Sequence, residues 1–191
     1  MDLGALVSGI GEMLSTIIPP QVAVKYKIEK NLPLIIADRA QMQQVTLNLF
    51  TNACEAIGDE QGEVVVRIGS LSIGGGTNDQ NVMGTVLVPG PHVYLEISDT
   101  GKGMDAQTCA RIFDPFYSTK GPGRGLGLSA ILGIARAHDG ALVVDSEPGK
   151  GTRFRLTFPV IDRPVDTVGE ADIQNVVDRS IQCVLVVDDN D

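Results

Sequence analysis

Apolar side chains open the chain at Leu3, Val7, Ile10, Leu14 and Ile17, in steps of 4, 3, 4 and 3. That spacing is a heptad-like helical seam over residues 3–18. Gly4, Gly9 and Gly11 weaken the helix by up to about 1 kcal/mol each, and Pro19-Pro20 stops it. Two readings fit the seam: an amphipathic helix packed on a core, or the end of a longer bundle helix. Residues 21–28 then alternate as a half-buried strand, and Leu34-Ile35-Ile36 predicts a short second one. Asp38 is placed to cap a helix from Arg39 to Ile57, which Gly58 ends. Strands are expected at 63–71 and 92–98, with a loop rich in turn formers between them. Residues 101–125 hold Gly101, Gly103, Gly121, Pro122, Gly123 and Gly125 and predict a long flexible segment. A helix is expected over 126–138, then the strand ALVVDS between Gly140 and Gly149–Gly151, and a final strand TRFRLTFPV. Strands and helices mixed within one unit predict an α+β or α/β sandwich.

From Ile161 the chain is acidic and patternless until Cys183-Val-Leu-Val-Val187, a buried-strand signature followed by Asp188-Asp189. With 191 residues, 43% hydrophobic and 20% charged, the composition is that of a globular domain with appendages. The net charge of −9 argues against a general nucleic-acid binder, which needs a basic face, but leaves room for a local phosphate site. No stretch approaches the roughly 20 apolar residues of a membrane span, and the start lacks the basic region of a signal peptide. Cys54, Cys109 and Cys183 form no CxxC pair, so neither a disulfide framework nor a zinc site is indicated, and a reducing cytosol fits.

Three features carry chemistry. Asn48 and Asn52 lie four apart on one helix, so both amides share a face that Glu55 and Ala56 continue. Asn is a poor helix former, and a carboxamide oxygen is a hard neutral ligand suited to a Mg²⁺ held mainly by phosphates and water; the plain alternative is two solvated side chains. Asp99-Thr-Gly-Lys-Gly-Met104 follows a strand, which puts an acceptor-only carboxylate at a tight turn where the amino group of a base could donate to it. Gly123-Arg-Gly125-Leu-Gly127-Leu128 runs into a helix, whose first N–H groups and dipole favour an anion, with Lys120 and Arg124 nearby. GxGxG alone is weak. It is not a dinucleotide fingerprint, because no strand immediately precedes it, and not a P-loop, because no GK[ST] follows.

Taken in order, these motifs closely resemble the catalytic ATP-binding domain of sensor histidine kinases, within the wider family of gyrase, Hsp90 and MutL. The N box resembles QQVTLNLFTNACEAI (43–57), the first Gly box DTGKGM (99–104), the F box IFDPFYSTK (112–120), the second Gly box GRGLGLS (123–129) and the third GKGT (149–152). The resemblance covers residues 21–160. It implies a Bergerat-type two-layer sandwich, a mixed sheet with helices on one face, that transfers the ATP γ-phosphoryl to a histidine on a separate dimerisation domain. Residue by residue, it implies that Asn52 coordinates Mg²⁺ with Asn48 supporting it. Asp99 accepts from the adenine amino group, with Ala56, Gly101, Gly103, Met104 and Thr152 around the base. Gly123, Gly125, Leu126, Gly127 and Leu128 meet the phosphates, Lys120 in the lid pairs with the γ-phosphate, and Phe113 and Phe116 anchor the lid.

Where the ATP-hydrolysing relatives carry a Glu base, this chain has Asn48, which cannot take a proton from water. That favours a kinase, whose catalysis rests on positioning and charge stabilisation by groups such as Asn48 and Lys120. The alternatives are a regulatory nucleotide-binding module and a gyrase-type ATPase without kinase activity. The two histidines, His92 and His138, follow no motif resembling the acceptor helix and are expected to be structural. Residues 1–20 match the end of a dimerisation helix and linker, 161–182 a linker, and 183–191, with VLVVDDND, the truncated first strand of a receiver domain. The chain is thus expected to be a piece of a hybrid kinase, homodimeric in its parent. It is expected to partner a response regulator and to act in the cytoplasm, whether or not the parent is membrane-anchored.

Overall fold

The computed structural model describes residues 1–14, 18–74, 87–118 and 126–160. Nine elements follow in the order α1 (Leu3–Leu14), β1 (Val22–Ile28), α2 (Arg39–Ile57), β2 (Gly62–Ile73), β3 (Gly90–Asp99), α3 (Ala106–Arg111), α4 (Gly127–Ala137), β4 (Ala141–Glu147) and β5 (Gly151–Pro159) among the described residues. The strands form one sheet in the order β1-β2-β3-β5-β4. β1 runs parallel to β2 and the other neighbours are antiparallel, so the sheet is mixed.

Strand alternation divides the sheet into two faces. One face presents Val64, Val66, Val93, Leu95, Ile97, Phe154, Leu156 and Phe158 to the helices, all within one buried cluster. Leu49 and Phe50 of α2 and Ile131 and Ala135 of α4 complete that cluster. Leu3, Leu6, Val7, Ile10 and Leu14 of α1 are buried in it too. The apolar seam of α1 is therefore packed on this core.

Local sequence explains both ends of α2. The Asp38 carboxylate accepts from the Gln41 backbone N–H at 2.8 Å, and Gly58, at φ 68°, closes α2 with its N–H on the Cys54 carbonyl. Asp38→Ala is expected to lower stability by about 1 kcal/mol, read in a thermal melt, because the cap oxygen is lost. The loss should be confined to the cap, since the Asp38 backbone N–H keeps its bond to His138 Nε2. Two expectations need correction. The 34–36 strand is reduced to a single bridge between Ile35 and Val160, with Ile35 also hydrogen-bonded to Met1. The supposed loop at 101–125 contains α3, which starts where the Asp105 carboxylate accepts from Thr108 N.

The other sheet face is polar. Glu96, 2% exposed, is held by Arg67 on β2 and Arg155 on β5. Burial pushes its carboxyl up, but the hydrogen bonds from the two guanidinium groups outweigh that and hold it below the usual carboxylate range. A depressed carboxyl contributes stability above its unfolded value of about 4.3 and loses it as pH falls through the folded value. The urea midpoint should therefore drop on acidification below about pH 4. In Glu96→Gln that drop should be shallower; parallel pH profiles would remove Glu96 from the acid limb.

Candidate nucleotide site

The end of β3, the last turn of α2, the turn after α3, the first turn of α4 and the start of β5 surround one cavity of about 350 Å³. Asp99 reaches it as the last residue of β3 and is buried. Its Oδ1 accepts from the backbone N–H of Gly101 at 2.8 Å and of Thr152 at 3.3 Å. The loop that follows is pinned from both sides. Lys102 N donates to the Ala56 carbonyl at 3.1 Å, and Lys102 O accepts from Gly149 N at 2.7 Å. Gly101 is pressed against α2, where a Cβ would lie 2.5 Å from the Ala56 carbonyl. Gly103 has φ +61°, and a Cβ there would stand 1.9 Å from the Glu147 carbonyl oxygen. These contacts are why the motif needs glycine at two positions.

Of the residues singled out from sequence, Asn52, Ala56, Asp99, Gly103, Met104, Leu126, Gly127, Leu128 and Thr152 all line this cavity. Asn48 does not. Its carboxamide faces the first turn of α4, 3.8 Å from where a Cβ on Gly127 would sit. Gly101 shapes the wall without lining it. Lys120, Gly123, Gly125 and the neighbouring Arg124 lie outside the described residues, as do Cys183, Asp188 and Asp189. Phe113 packs against the core, Phe116 is 79% exposed at φ 68°, and the lid they are expected to anchor lies outside the described residues.

Sequence reasoning missed part of the wall: Lys102, Thr108, Ile112, Tyr117, Ser118 and Phe154 also line it. Phe154 was within reach, since it lies two residues beyond Thr152 on one strand and so shares its face. Tyr117 is positioned by the turn after α3, with Arg111 stacked 4.4 Å from its ring centroid and its N–H on the Asp114 carbonyl, contacts that no apolar period marks. Apolar walls with a few convergent polar groups suit a flat base joined to a charged group. Cys54 lies in α2 near this site; burial, and then the charge of Asp99, push its thiol up, so it stays protonated and unreactive.

Among the described residues no cluster of three His, Cys, Asp or Glu could hold a metal ion. A cation here would draw most of its ligands from a substrate and water, which fits the single neutral oxygen that Asn52 brings to the cavity. No described helix is long and apolar enough to cross a membrane.

The family model for histidine kinase-, DNA gyrase B- and HSP90-like ATPases matches residues 37–162, more than half of the chain. The chain belongs to this family. As a member of the histidine kinase-, gyrase- and HSP90-like ATPases it carries an ATP-binding domain. It is similar to the sensor kinase CckA of Brucella abortus (strain 2308), 31% identical over 201 residues, which covers 100% of this chain and 21% of that protein. It is also similar to the sensor histidine kinase ZraS of Escherichia coli O157:H7, 34% identical over 140 residues, 73% of this chain and 26% of that one. The chain thus spans between a fifth and about a quarter of the length of these relatives. Among solved structures, full-length ShkA in complex with AMPPNP matches at 28% identity and a TM-score of 0.65, covering 84% of this chain and 30% of that one. The mycobacterial sensor histidine kinase MprB shares the fold at a TM-score of 0.65 and 22% identity, covering 84% of this chain and 95% of that chain.

Proposed function

We propose that this chain is the catalytic domain of a two-component sensor kinase of the hybrid type, passing the γ-phosphoryl of ATP to a histidine on a separate dimerisation domain. The observation that carries the proposal is the convergence of Asn52, Asp99, Gly103, the Leu126–Leu128 turn and Thr152 on one cavity. In this reading the catalytic unit is 21–160, with α1 packed onto its core and 161–182 leading to the receiver strand at 183–191. Similarity to the Brucella sensor kinase over the whole chain supports placing the tail in the same protein.

Asp99 takes the adenine amino proton donor, with Ala56, Met104 and Thr152 against the base and Gly101 and Gly103 letting the loop approach it. Backbone N–H groups at Gly123, Gly125, Leu126, Gly127 and Leu128 face the phosphates at the positive end of α4. Lys120 pairs with the γ-phosphate. Asn52 would hold Mg²⁺, with Asn48 behind it, and the ion when bound neutralises phosphate charge. The chain itself binds, orients and excludes water. Asn48 offers no base to activate water, so the nucleophile is left to the partner histidine.

The test is to supply the parent's dimerisation domain in trans with labelled ATP and look for acid-labile phosphohistidine. Label on that domain, with little free phosphate from the chain alone, is the expected result. Sustained phosphate release by the isolated chain would favour the gyrase-type reading instead. Nucleotide binding without transfer would favour a regulatory module.

A further inference from the structure

The hydroxyl of Ser146, a serine outside the site motifs, meets three polar groups beside the cavity. Ser146 Oγ accepts from the Met104 backbone N–H at 2.9 Å and donates to the Gly151 carbonyl at 3.1 Å. It also lies 2.9 Å from Thr152 Oγ1. A serine hydroxyl has one proton to give. With that proton on Gly151, the bond to Thr152 can form only if Thr152 is the donor. The Thr152 proton then points away from the cavity, and its oxygen can offer the cavity only lone pairs. The neighbouring polar group, Asp99, is itself an acceptor and is joined to the same residue through the Thr152 backbone N–H. Thr152 is 6% exposed and lines the cavity, so this orientation meets whatever base binds there.

We propose that Ser146 is a specificity-positioning residue: by occupying the Thr152 proton it makes the base-recognition edge acceptor-only. Such an edge rewards a purine with an exocyclic amino group and penalises a 6-oxo purine, whose carbonyl would face lone pairs. The inference rests on the reading of the cavity as an adenine-nucleotide site and adds the means of selection.

Calorimetric titration of the whole chain with ADP and with IDP tests it. Wild type should prefer ADP. In Ser146→Ala both nucleotides should weaken, because Met104 N loses its acceptor, but the freed Thr152 hydroxyl can turn and donate to the 6-oxo group. The ADP-to-IDP preference should therefore fall by about tenfold, the upper range for one neutral hydrogen bond. Ser146→Thr retains the hydroxyl and should restore the preference. Thr152→Val leaves the Ser146 bonds to Met104 and Gly151 in place and should weaken ADP but not IDP. A preference unchanged in Ser146→Ala, or equal weakening of both nucleotides in Thr152→Val, would overturn the proposal while leaving the adenine site standing. A wild type that binds neither nucleotide would sink both.

Discussion

Gly103→Ala is expected to abolish measurable nucleotide binding and to destabilise the fold. The backbone at Gly103 is left-handed, at φ +61°, which costs a residue with a Cβ about 1–2 kcal/mol. The added carbon would also stand 1.9 Å from the Glu147 carbonyl oxygen, inside any permissible contact. That oxygen belongs to the β4–β5 hairpin and already accepts from Lys150 N, so it cannot simply swing aside. Overpacking of this kind costs about 1–3 kcal/mol more. The strain is relieved only by lifting the loop off the hairpin, which breaks the Met104 N bond to Ser146 and moves Met104 out of the cavity wall. Urea denaturation and an ADP titration on the same preparation would measure both effects. An unshifted midpoint with intact affinity would mean the loop is not clamped between α2 and the hairpin. Gly149, at φ +74° with no atom near its Cβ position, is the natural control, since it carries the conformational cost without the clash.

How far the sequence predicts this arrangement depends on how local the cause is. The bounds of α2 could be read because Asp38 and Gly58 act within one turn of the helix they end. The convergence of the Gly boxes could be inferred because their order along the chain resembles a known pattern. Which of two asparagines reaches the cavity could not. Asn48 and Asn52 share a helix face, yet α4 crosses over Asn48 with the Cβ-less Gly127, and only Asn52 opens to the pocket. α3 escaped notice because it has six residues and buries none of them, so no apolar period marks it. Ser146 gave no signal at all. Its role comes from three partners brought to one hydroxyl by the sheet and the pinned loop.

The second large effect is at Asp99. Its Oδ1 is committed to the backbone N–H groups of Gly101 and Thr152. Asparagine can keep its carbonyl oxygen on those two donors, so Asp99→Asn should fold and hold the loop in place. What changes is the other half of the side chain, where an acceptor-only oxygen becomes an NH₂ group that presents hydrogens to the base. An adenine amino group then meets a donor, and a hydrogen bond to a charged acceptor is lost. Such a bond contributes about 1.5–3 kcal/mol, so ADP affinity should fall by roughly 10- to 150-fold. The loss should be nearly independent of the phosphate chain, with ADP and AMPPNP weakened by the same factor, because Asp99 and the Leu126–Leu128 turn enter the cavity from different elements. Calorimetry with both nucleotides checks this. Unchanged ADP affinity would remove Asp99 from base recognition, and a loss confined to AMPPNP would place it at the phosphates instead. Asp99→Ala separates the two parts of the carboxylate's work. It leaves the Gly101 and Thr152 N–H groups without their acceptor, so it should lower the denaturation midpoint as well as the affinity, where Asp99→Asn lowers the affinity alone.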